Sequence, residues 1–483
     1  MNTDRGRKNR PRGAALMMLT SVALTAGACG PRRPELVRLP KDPPPAVLIR
    51  NAAVLDVESG KLSERRDVLI VGDRIAKIGA AGAVEAPAGA GTIEAEGATL
   101  LPGLIDMHAH IGNAPEPSWV TTIPDPAANL RAYLYCGVTT VLDPADLSTQ
   151  AVSRRDSVAR GELLGPAIYT AGPMVTAPGG HPIAMLDQLV PWWFRWYLTP
   201  RAAIAVDSPA EADAAAATLA DLRVDVLKLA VDRIPEEAPR IKREVLDAAV
   251  AAAKKRGLRA VAHIGSVEDA RDAGNAGVSA WMHGVYKERI ADDAIRELAG
   301  FGIPMVPTMV VFESYALLGQ GPRAATPLER ETVPPSVLES LERVPKDDPA
   351  IRFFAGFLET LRGQRQNWRD NVRRLHAAGV TIFAGSDSQM GVFPGASLHR
   401  ELRLLAESGF TPAEAIRAAT VDPARFLANG KQSDFGIVAE GKRADLLLVE
   451  GDPSESLDAL ERIRIVMKGG VVLERLPVSR PTS

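Results

Sequence analysis

Four histidines, one aspartate and one lysine occupy positions from which they could bind metal ions. His108 and His110 form an H-x-H pair, and residues i and i+2 of a strand point to the same side, so both imidazoles could reach one cation. His263 and His283 each end a short apolar run, and Asp387 follows another. Imidazole and carboxylate groups are ligands that zinc accepts. These residue types predict a metal centre if the fold brings their positions together.

Lys228 is the sixth of these residues, and it lies within the apolar run 224–229. Burying an ammonium group is costly unless the group has a partner. One interpretation is an ion pair with a neighbouring carboxylate, Asp225 or Asp232. The other is a direct role at the metal centre, which the coincidence of all six residues at strand ends favours.

Repeated helix-then-strand units carry the six residues. In each unit a helical pattern ends at a glycine and is followed by a short apolar strand, which is typical of α/β proteins with a parallel sheet. Eight such strands favour a (β/α)8 TIM-like barrel over residues 101–430, whose carboxyl strand ends meet in one cavity. The predicted strands are 103–108, 138–142, 167–175, 224–229, 259–263, 280–283, 304–307 and 381–385.

The two ends of the remaining chain are both β-like. Residues 46–100 contain alternating and apolar runs with a hairpin signal at Gly72-Asp73, and residues 431–475 contain similar runs with glycine turns. We expect the two ends to pair into one small β-sandwich, with the barrel inserted between them.

Two segments interrupt the repeating pattern, 178–198 and 310–349. The first contains Trp192, Trp193 and Trp196, and the second reads as a long, polar, proline-rich insertion. Both would lie at the carboxyl face of the barrel, where long loops form pocket walls and lids. The alternative for the tryptophans is that they pack beneath their own loop.

The beginning of the chain has the pattern of an export signal. A basic segment precedes an apolar run and small residues, which predicts a signal peptide over residues 1–28. Small residues directly before Cys29 resemble a bacterial lipoprotein processing site, so Cys29 is predicted to carry lipid, with a tether over 29–45. A plain secretory signal is the alternative. Either way the protein is expected to be exported, to the periplasm or to a membrane surface.

The net charge and the cysteine content argue against a nucleic-acid partner and against intrachain disulfide bonds. The formal net charge is −2, which gives no reason to expect a nucleic-acid partner. The second of the two cysteines, Cys136, lies in an apolar segment and is expected to be a buried core residue. With Cys29 modified, no disulfide could form within one chain, so the core must stabilise the fold.

The segment 102–110, Pro-Gly-Leu-Ile-Asp-Met-His-Ala-His, resembles the opening signature of the amidohydrolase superfamily. The resemblance covers about residues 47–470 and is strongest to the branch of imidazolonepropionase-like proteins and Xaa-Pro or Xaa-Arg dipeptidases. Later segments that resemble the family's motifs, in order, are 137–143, 179–182, 262–263, 282–284, 384–387, 398–402, 411–415 and 441–446.

The resemblance implies a role for each metal-binding candidate. His108 and His110 would bind the more buried ion together with Asp387, and His263 and His283 would bind a second. Lys228 matches the position of a carboxylated lysine, whose CO2-derived carbamate bridges two divalent ions. Zinc is the expected metal.

The implied reaction is hydrolysis of a C–N bond by a hydroxide that the metals activate. Two cations lower the pKa of a water and polarise the substrate carbonyl. Asp387 would take the proton of the nucleophile and pass it to the leaving nitrogen. His181 resembles a substrate-side histidine that bonds the carbonyl, or else it stabilises its own loop. His376 and His399 are expected to be structural.

The function predicted from the sequence is amide or peptide hydrolysis, with a dipeptide or N-acyl amino acid as the small-molecule substrate. One alternative is a mononuclear cyclic-amide hydrolase or deaminase on the same fold, with Lys228 unmodified. Another is a metal-bearing surface lipoprotein without turnover. The protein could also form a homo-oligomer.

Overall fold

The computed structural model describes residues 33–120, 122–321 and 323–476. The predicted signal peptide and Cys29 lie outside these residues. None of the helices within the described ranges is both long enough and apolar enough to cross a membrane.

Strands from both chain ends pair in one eight-stranded sheet. They are β2 (Ala46–Asp56), β3 (Lys61–Val71), β4 (Arg74–Ala80), β5 (Gly91–Glu94), β6 (Thr99–Pro102), β16 (Leu446–Val449), β17 (Ile463–Lys468) and β18 (Val471–Val472). The order of this sheet is β18-β17-β16-β6-β2-β3-β4, with β5 pairing β2. The antiparallel pairing of β6 with β16 joins the two ends of the chain, and apolar residues of these strands form a separate core. Whether this sheet forms a sandwich stays a prediction. A separate two-stranded sheet pairs β1 (Val37–Arg38) with β19 (Glu474–Arg475).

Between the two ends lie two parallel sheets, one of order β7-β8-β9 and one of order β11-β10-β12-β13-β14-β15. Every pairing within them is parallel, as the repeating helix-strand pattern predicts. The strands are β7 (Leu104–Asp106), β8 (Val138–Asp143), β9 (Ala167–Thr170), β10 (Met174–Thr176), β11 (Ala203–Ala205), β12 (Val226–Ala230), β13 (Arg259–His263), β14 (Ala280–Met282) and β15 (Met305–Val306).

Two of the predicted strands take a different form. The third is split into β9 and β10, and the eighth is reduced to a parallel bridge between Met305 and Ile382. Backbone hydrogen bonds continue from Phe383 to Met305 and from Met107 to Ala384, the path that barrel closure requires. The chain leaves the eighth strand at Gly385. A Cβ at this position would lie 2.9 Å from the backbone nitrogen of His108, so glycine is needed for the two segments to approach this closely.

Helices connect the strands, and their ends follow the sequence signals. Ser208 caps its helix in a reciprocal capping box with Glu211, and Gly277 ends another in a left-handed conformation. The helices are α1 (Pro126–Tyr135), α2 (Ser148–Ala159), α3 (Ile183–Leu189), α4 (Trp192–Ala202), α5 (Pro209–Asp221), α6 (Arg243–Lys255), α7 (Val267–Ala276), α8 (Asp292–Gly300), α9 (Met309–Leu317), α10 (Pro327–Thr332), α11 (Pro335–Ser340), α12 (Pro349–Phe353), α13 (Ala355–Gly363), α14 (Arg365–Ala377), α15 (Ala396–Glu407), α16 (Pro412–Ala418) and α17 (Val421–Leu427).

The segment 310–349 contains helices and is partly buried, which the sequence pattern did not indicate. Its first helix, α9, is apolar in sequence and almost entirely buried. Pro327 and Pro335 begin α10 and α11, because proline at the first helical turn leaves no hydrogen bond unmade. The segment 178–198 likewise contains α3 and most of α4.

Part of the segment expected as a tether is docked on the protein. Val37 is fully buried, and β1 pairs with β19 near the other end of the chain. Arg33 donates hydrogen bonds to Glu116 and Asn129. The apolar residues Leu36 and Val37 explain this docking, because they join the main core.

Candidate active site

The segments that follow β7 and the bridge at Ile382 bring two histidines to one aspartate. The Nε2 atom of His110 lies 2.9 Å from Oδ1 of Asp387, and Nε2 of His108 lies 3.7 Å from the same oxygen. His110 donates from Nδ1 to the carbonyl of Ala145 at 3.2 Å, which orients the ring with Nε2 towards Asp387. The H-x-H pair therefore shares one carboxylate.

Two further histidines continue the cluster across β13 and β14. The ring centroid of His283 lies 4.5 Å from that of His108 and 4.1 Å from that of His263. Ligand atoms of His108, His283 and Asp387 lie within 4.8 Å of one another. His181 follows, with its ring centroid 4.9 Å from that of His263. The five histidines thus form a continuous row.

Lys228 is fully buried on β12, beside this row. Its Nζ atom has no hydrogen-bond partner among the described residues. Burial lowers the pKa of Lys228 to about 7, opposed by the negative charge of Asp387. The charge of Lys228 in turn helps to lower the pKa values of His108, His263 and His283. β12 pairs with β13, the strand that ends at His263.

The ion-pair interpretation of Lys228 fails because both candidate carboxylates are engaged elsewhere. Asp225 lies 3.0 Å from a guanidinium nitrogen of Arg155. Asp232 lies 2.7 Å from Nζ of Lys287 and accepts a hydrogen bond from the hydroxyl of Tyr286. Among the described residues, Lys228 is therefore a buried amine without a neutralising carboxylate partner.

Burial keeps most of the imidazoles neutral. It lowers the pKa values of His108 and His283 well below their usual range, and neighbouring positive charges add to the effect. It also lowers the pKa of His181 to about 3. For His110, burial lowers the pKa, but hydrogen bonds with Asp143 and Asp387 outweigh it and raise the value to about 10. A neutral imidazole is the form that binds a metal ion.

Three residues of the site hold left-handed backbone conformations that only glycine adopts without cost. The φ angles are 74° at His283, 49° at Thr308 and 54° at Asp387. Such strain costs on the order of 1–3 kcal/mol per residue and collects at functional sites, where the surrounding fold must impose it. All three residues follow strand ends or bridges at the same face.

Asp106 ties the first and last strands together beneath the histidines. Its carboxylate accepts hydrogen bonds from the backbone nitrogens of His108 at 3.0 Å and Ser386 at 2.9 Å, and from the Ser386 hydroxyl. Burial raises the pKa of Asp106 to about 6, although these hydrogen bonds oppose the shift. Asp106 therefore fixes the loops that carry His108 and Asp387.

Thr308 was missed as a site residue by the sequence analysis. Its hydroxyl lies 2.8 Å from Nδ1 of His283 and so fixes the orientation of that ring. The signal was present, since Thr308 directly follows the seventh predicted strand. Asp106 was equally visible, because it precedes His108 by two residues in the same alternation.

His376 and His399 lie away from the site. His376 stacks on Phe410 with ring centroids 3.7 Å apart, and Nε2 of His399 donates to the carbonyl of Cys136 at 2.8 Å. Cys136 itself is fully buried. His399 and Cys136 are thus buried, His376 is half-buried against Phe410, and all three lie outside the site, as expected.

Comparison with known proteins identifies the family. Residues 99–473 match the model of the amidohydrolase family, so the chain belongs to this family. Members of this family are metal-dependent hydrolases that act on carbon–nitrogen bonds, and the chain is therefore a hydrolase of this kind.

Individual relatives agree with this placement. An uncharacterized protein of Mycobacterium tuberculosis (strain ATCC 25618 / H37Rv) is 24% identical over 80% of this chain and 88% of its own length. An imidazolonepropionase of Shouchella clausii is 32% identical over 22% of this chain and 26% of its own length.

Solved structures share the fold over most of the chain. A Xaa-Pro dipeptidase with bound methionine superimposes with a TM-score of 0.71, 24% identity, and coverage of 88% of this chain and 99% of that one. A putative prolidase from Bifidobacterium longum gives a TM-score of 0.69, 25% identity, and coverage of 91% and 96%. The resemblance to the dipeptidase branch is confirmed.

Proposed function

We propose that this chain is a binuclear amidohydrolase that cleaves the amide bond of dipeptides or N-acyl amino acids. The observation that carries the proposal is Lys228, a fully buried amine without a described partner among histidines and Asp387. Its pKa of about 7 leaves a substantial neutral fraction at neutral pH. The neutral nitrogen can bond to the carbon of CO2 and lose a proton, which yields an anionic carbamate. That anion would remove the unpaired positive charge and fit between two cations.

The donor set around Lys228 suits two divalent ions. His108, His110 and Asp387 would hold one ion, His263 and His283 the other, and the Lys228 carbamate both. When bound, divalent cations, zinc by the ligand types, supply Lewis acidity and lower the pKa of water.

Asp387 is the residue assigned to proton transfer. Its Oδ1 atom accepts a hydrogen bond from Gln389 at 3.0 Å and contacts His110, so the carboxylate is held in place. It would accept a proton from the attacking water and deliver it to the leaving nitrogen. His181, whose Nδ1 has no partner within the described ranges, would bond the scissile carbonyl oxygen.

The substrate class rests on structural likeness to dipeptidases. A panel of dipeptides, N-acyl amino acids and cyclic amides tests it with the metal-loaded protein. Hydrolysis of dipeptides or N-acyl amino acids supports the proposal. Hydrolysis restricted to cyclic amides would contradict it, and no turnover of any compound would favour a non-catalytic metal-binding lipoprotein.

Metal content per chain tests the role of Lys228. We expect about two divalent ions in the wild type and one or fewer in Lys228→Ala, with activity reduced about 100-fold or more, because the bridging anion is lost. Lys468→Ala is a matched control, since Lys468 pairs with Asp445 at 2.7 Å in the sheet formed by the chain ends. A carbamate signal from ¹³CO2-treated wild type, absent in Lys228→Ala, would identify the modification directly.

A mononuclear hydrolase or deaminase is the second candidate. It is favoured by one observation: within the described ranges, a close cluster of ligand atoms is formed by His108, His283 and Asp387. One ion per chain, unchanged in Lys228→Ala, would establish this alternative and make Lys228 structural.

We also infer that the two parallel sheets close as a (β/α)8 barrel and that the sheet of the chain ends forms a β-sandwich. The hydrogen bonds from Phe383 to Met305 and from Met107 to Ala384 support closure. The pairing of β6 with β16 supports the second inference.

Export is proposed on the sequence pattern of residues 1–29 alone. The expected products are a chain processed at Cys29 and recovered with the membrane fraction. Mass spectrometry of the mature N-terminus distinguishes lipidated Cys29 from cleavage by an ordinary secretory route.

A further inference from the structure

Helix α4 exposes a group of large aromatic side chains. The exposed fractions are 79% for Trp192, 60% for Trp193 and 74% for Trp196, and Phe194 adds a further 37%. These are three of the six tryptophans of the chain. The possibility that they pack beneath their own loop is therefore wrong, and an exposed apolar patch of this kind marks an interaction surface.

Contacts other than those of the tryptophans order α4 and attach it to the molecule. Within the helix the guanidinium of Arg201 lies 3.9 Å from the ring centre of Tyr197, and Arg195 donates to the carbonyl of Val190, just before the helix, at 2.7 Å. The hydroxyl of Ser148 donates to the carbonyl of Arg201 at 3.1 Å. Ser148 begins the helix after β8, so α4 is fixed at the carboxyl face of the barrel, the face of the active site.

The charge of this region is positive. Residues 183–202 contain Arg195 and Arg201 and a single acidic residue, Asp187. Tryptophan with neighbouring arginine is the combination found at the interface between lipid headgroups and acyl chains, and basic residues favour anionic lipid.

The docked beginning of the described chain leads to the same face. Arg33 contacts Glu116, and the nearby Ser118 donates to Asp348 at 2.8 Å. Asp348 caps α12, which packs against α3, the helix that precedes α4. Cys29 precedes Arg33 by four residues, a span of at most about 14 Å. Lipid attached at Cys29 would hold a membrane within reach of this face.

We propose that α4 is a membrane-interface anchor, with Trp192, Trp193 and Trp196 inserted among the headgroups of an anionic lipid bilayer. The active site would then open close to the membrane surface. Membrane binding by α4 is independent of the hydrolytic function. Vesicle binding is measured without substrate, so the two proposals can fail separately.

The test uses the chain from residue 29 onward with Cys29→Ser, so that neither the predicted signal peptide nor lipid attached at residue 29 can account for binding. We expect it to sediment with vesicles of phosphatidylglycerol and phosphatidylethanolamine, and brominated acyl chains to quench its tryptophan fluorescence. Substituting Trp192, Trp193 and Trp196 with serine should lower the vesicle-bound fraction about tenfold or more. Leu39→Ser with Val71→Ser is the matched control, since these exposed apolar residues lie outside α4. Hydrolysis of a soluble substrate should be unchanged in every variant.

Each of the following outcomes would overturn the proposal. The Cys29→Ser protein could fail to bind vesicles or to be quenched, or the triple serine variant could bind as well as the control. A triple variant with a smaller assembly by light scattering and unchanged vesicle binding would make the patch an interface between copies of this chain. A rise in KM without a change in vesicle binding would make it part of the substrate pocket.

Discussion

Thr308 lies at a left-handed backbone position that its β-branched side chain disfavours. The residue is fully buried, and its hydroxyl contacts Nδ1 of His283. A hydrogen bond to the remote nitrogen of a metal-binding histidine fixes the ring and the position of its free nitrogen. The strain at Thr308 is thus linked to the geometry of the site.

Thr308→Val removes this hydroxyl while it retains the β-branched shape and the backbone strain. We expect metal affinity or kcat to fall roughly 10- to 100-fold, because His283 loses its orienting partner. Metal competition titrations and steady-state kinetics measure the two effects. Thr308→Ser retains the hydroxyl and should remain close to wild type. Equal behaviour of the two variants would show that the hydroxyl has no such role.

His399 provides a pH-dependent contribution to stability away from the site. Burial lowers its pKa to about 4, although the hydrogen bond to Cys136 opposes the shift. The unfolded chain, with an ordinary histidine pKa of about 6.5, binds more protons between these values. The contribution is therefore present above pH 6.5 and is lost as the pH falls towards 4.

His399→Gln tests this dependence, because the glutamine amide can still donate to the Cys136 carbonyl. Between pH 7 and 4.5 the wild type should lose about 2–3 kcal/mol more unfolding free energy than the variant. Both proteins are unfolded with urea in the presence of a chelator, so that bound metal ions do not contribute to the unfolding free energy. A difference that does not change with pH would mean that folding leaves the pKa of His399 at its unfolded value.

At the scale of elements, α9 is joined to α14 and α15 by one buried carboxylate. Glu313 lies 2.6 Å from Arg369 and 2.7 Å from Arg400. On the other side of α9, Phe312 lies 5.9 Å from His283, measured between ring centroids. The salt bridges of Glu313 with Arg369 and Arg400 therefore position α9, a helix that lines the site.

Glu313→Ala should lower the unfolding free energy by about 1–3 kcal/mol, because it leaves partly buried arginines unpaired. Glu407→Ala is the comparison, since Glu407 also contacts Arg400 and Arg369 but its side chain is 43% exposed. Exposed pairs contribute about 0–1 kcal/mol, so this loss should be smaller. Equal losses would show that burial of Glu313 does not matter. Chemical denaturation measures both.

At the scale of the whole molecule, the two chain ends enclose the central domain. β6 pairs with β16, and β1 pairs with β19 over a sequence separation of more than 400 residues. Arg33 extends the N-terminal contact to Glu116, whose side chain is 4% exposed. The ends therefore stabilise each other and the loop after β7.

Arg33→Ala should release the N-terminal segment, because Glu116 then remains buried without its cation. Hydrogen–deuterium exchange at residues 36–38 is expected to rise at least tenfold, with little change in the barrel strands. Arg38→Ala is the control, since the pair of Arg38 and Glu474 is exposed. Unchanged exchange in Arg33→Ala would show that Leu36 and Val37 hold the segment without the ion pair.

The sequence by itself identified the family, the parallel α/β organisation and the strand ends that carry the histidines. It could do so because strand ends follow from local patterns, and because the carboxyl ends of parallel strands lie at one face. The helices within 310–349 were missed because their apolar residues are buried by distant segments.

Only the tertiary structure decided which polar groups are paired. Lys228 was ambiguous in sequence, and the contacts of Asp225 with Arg155 and of Asp232 with Lys287 removed its alternative partners. The exposure of the tryptophans on α4 was likewise unreadable. Pairing and exposure depend on residues far apart in the chain, so no local pattern of residue types can determine them.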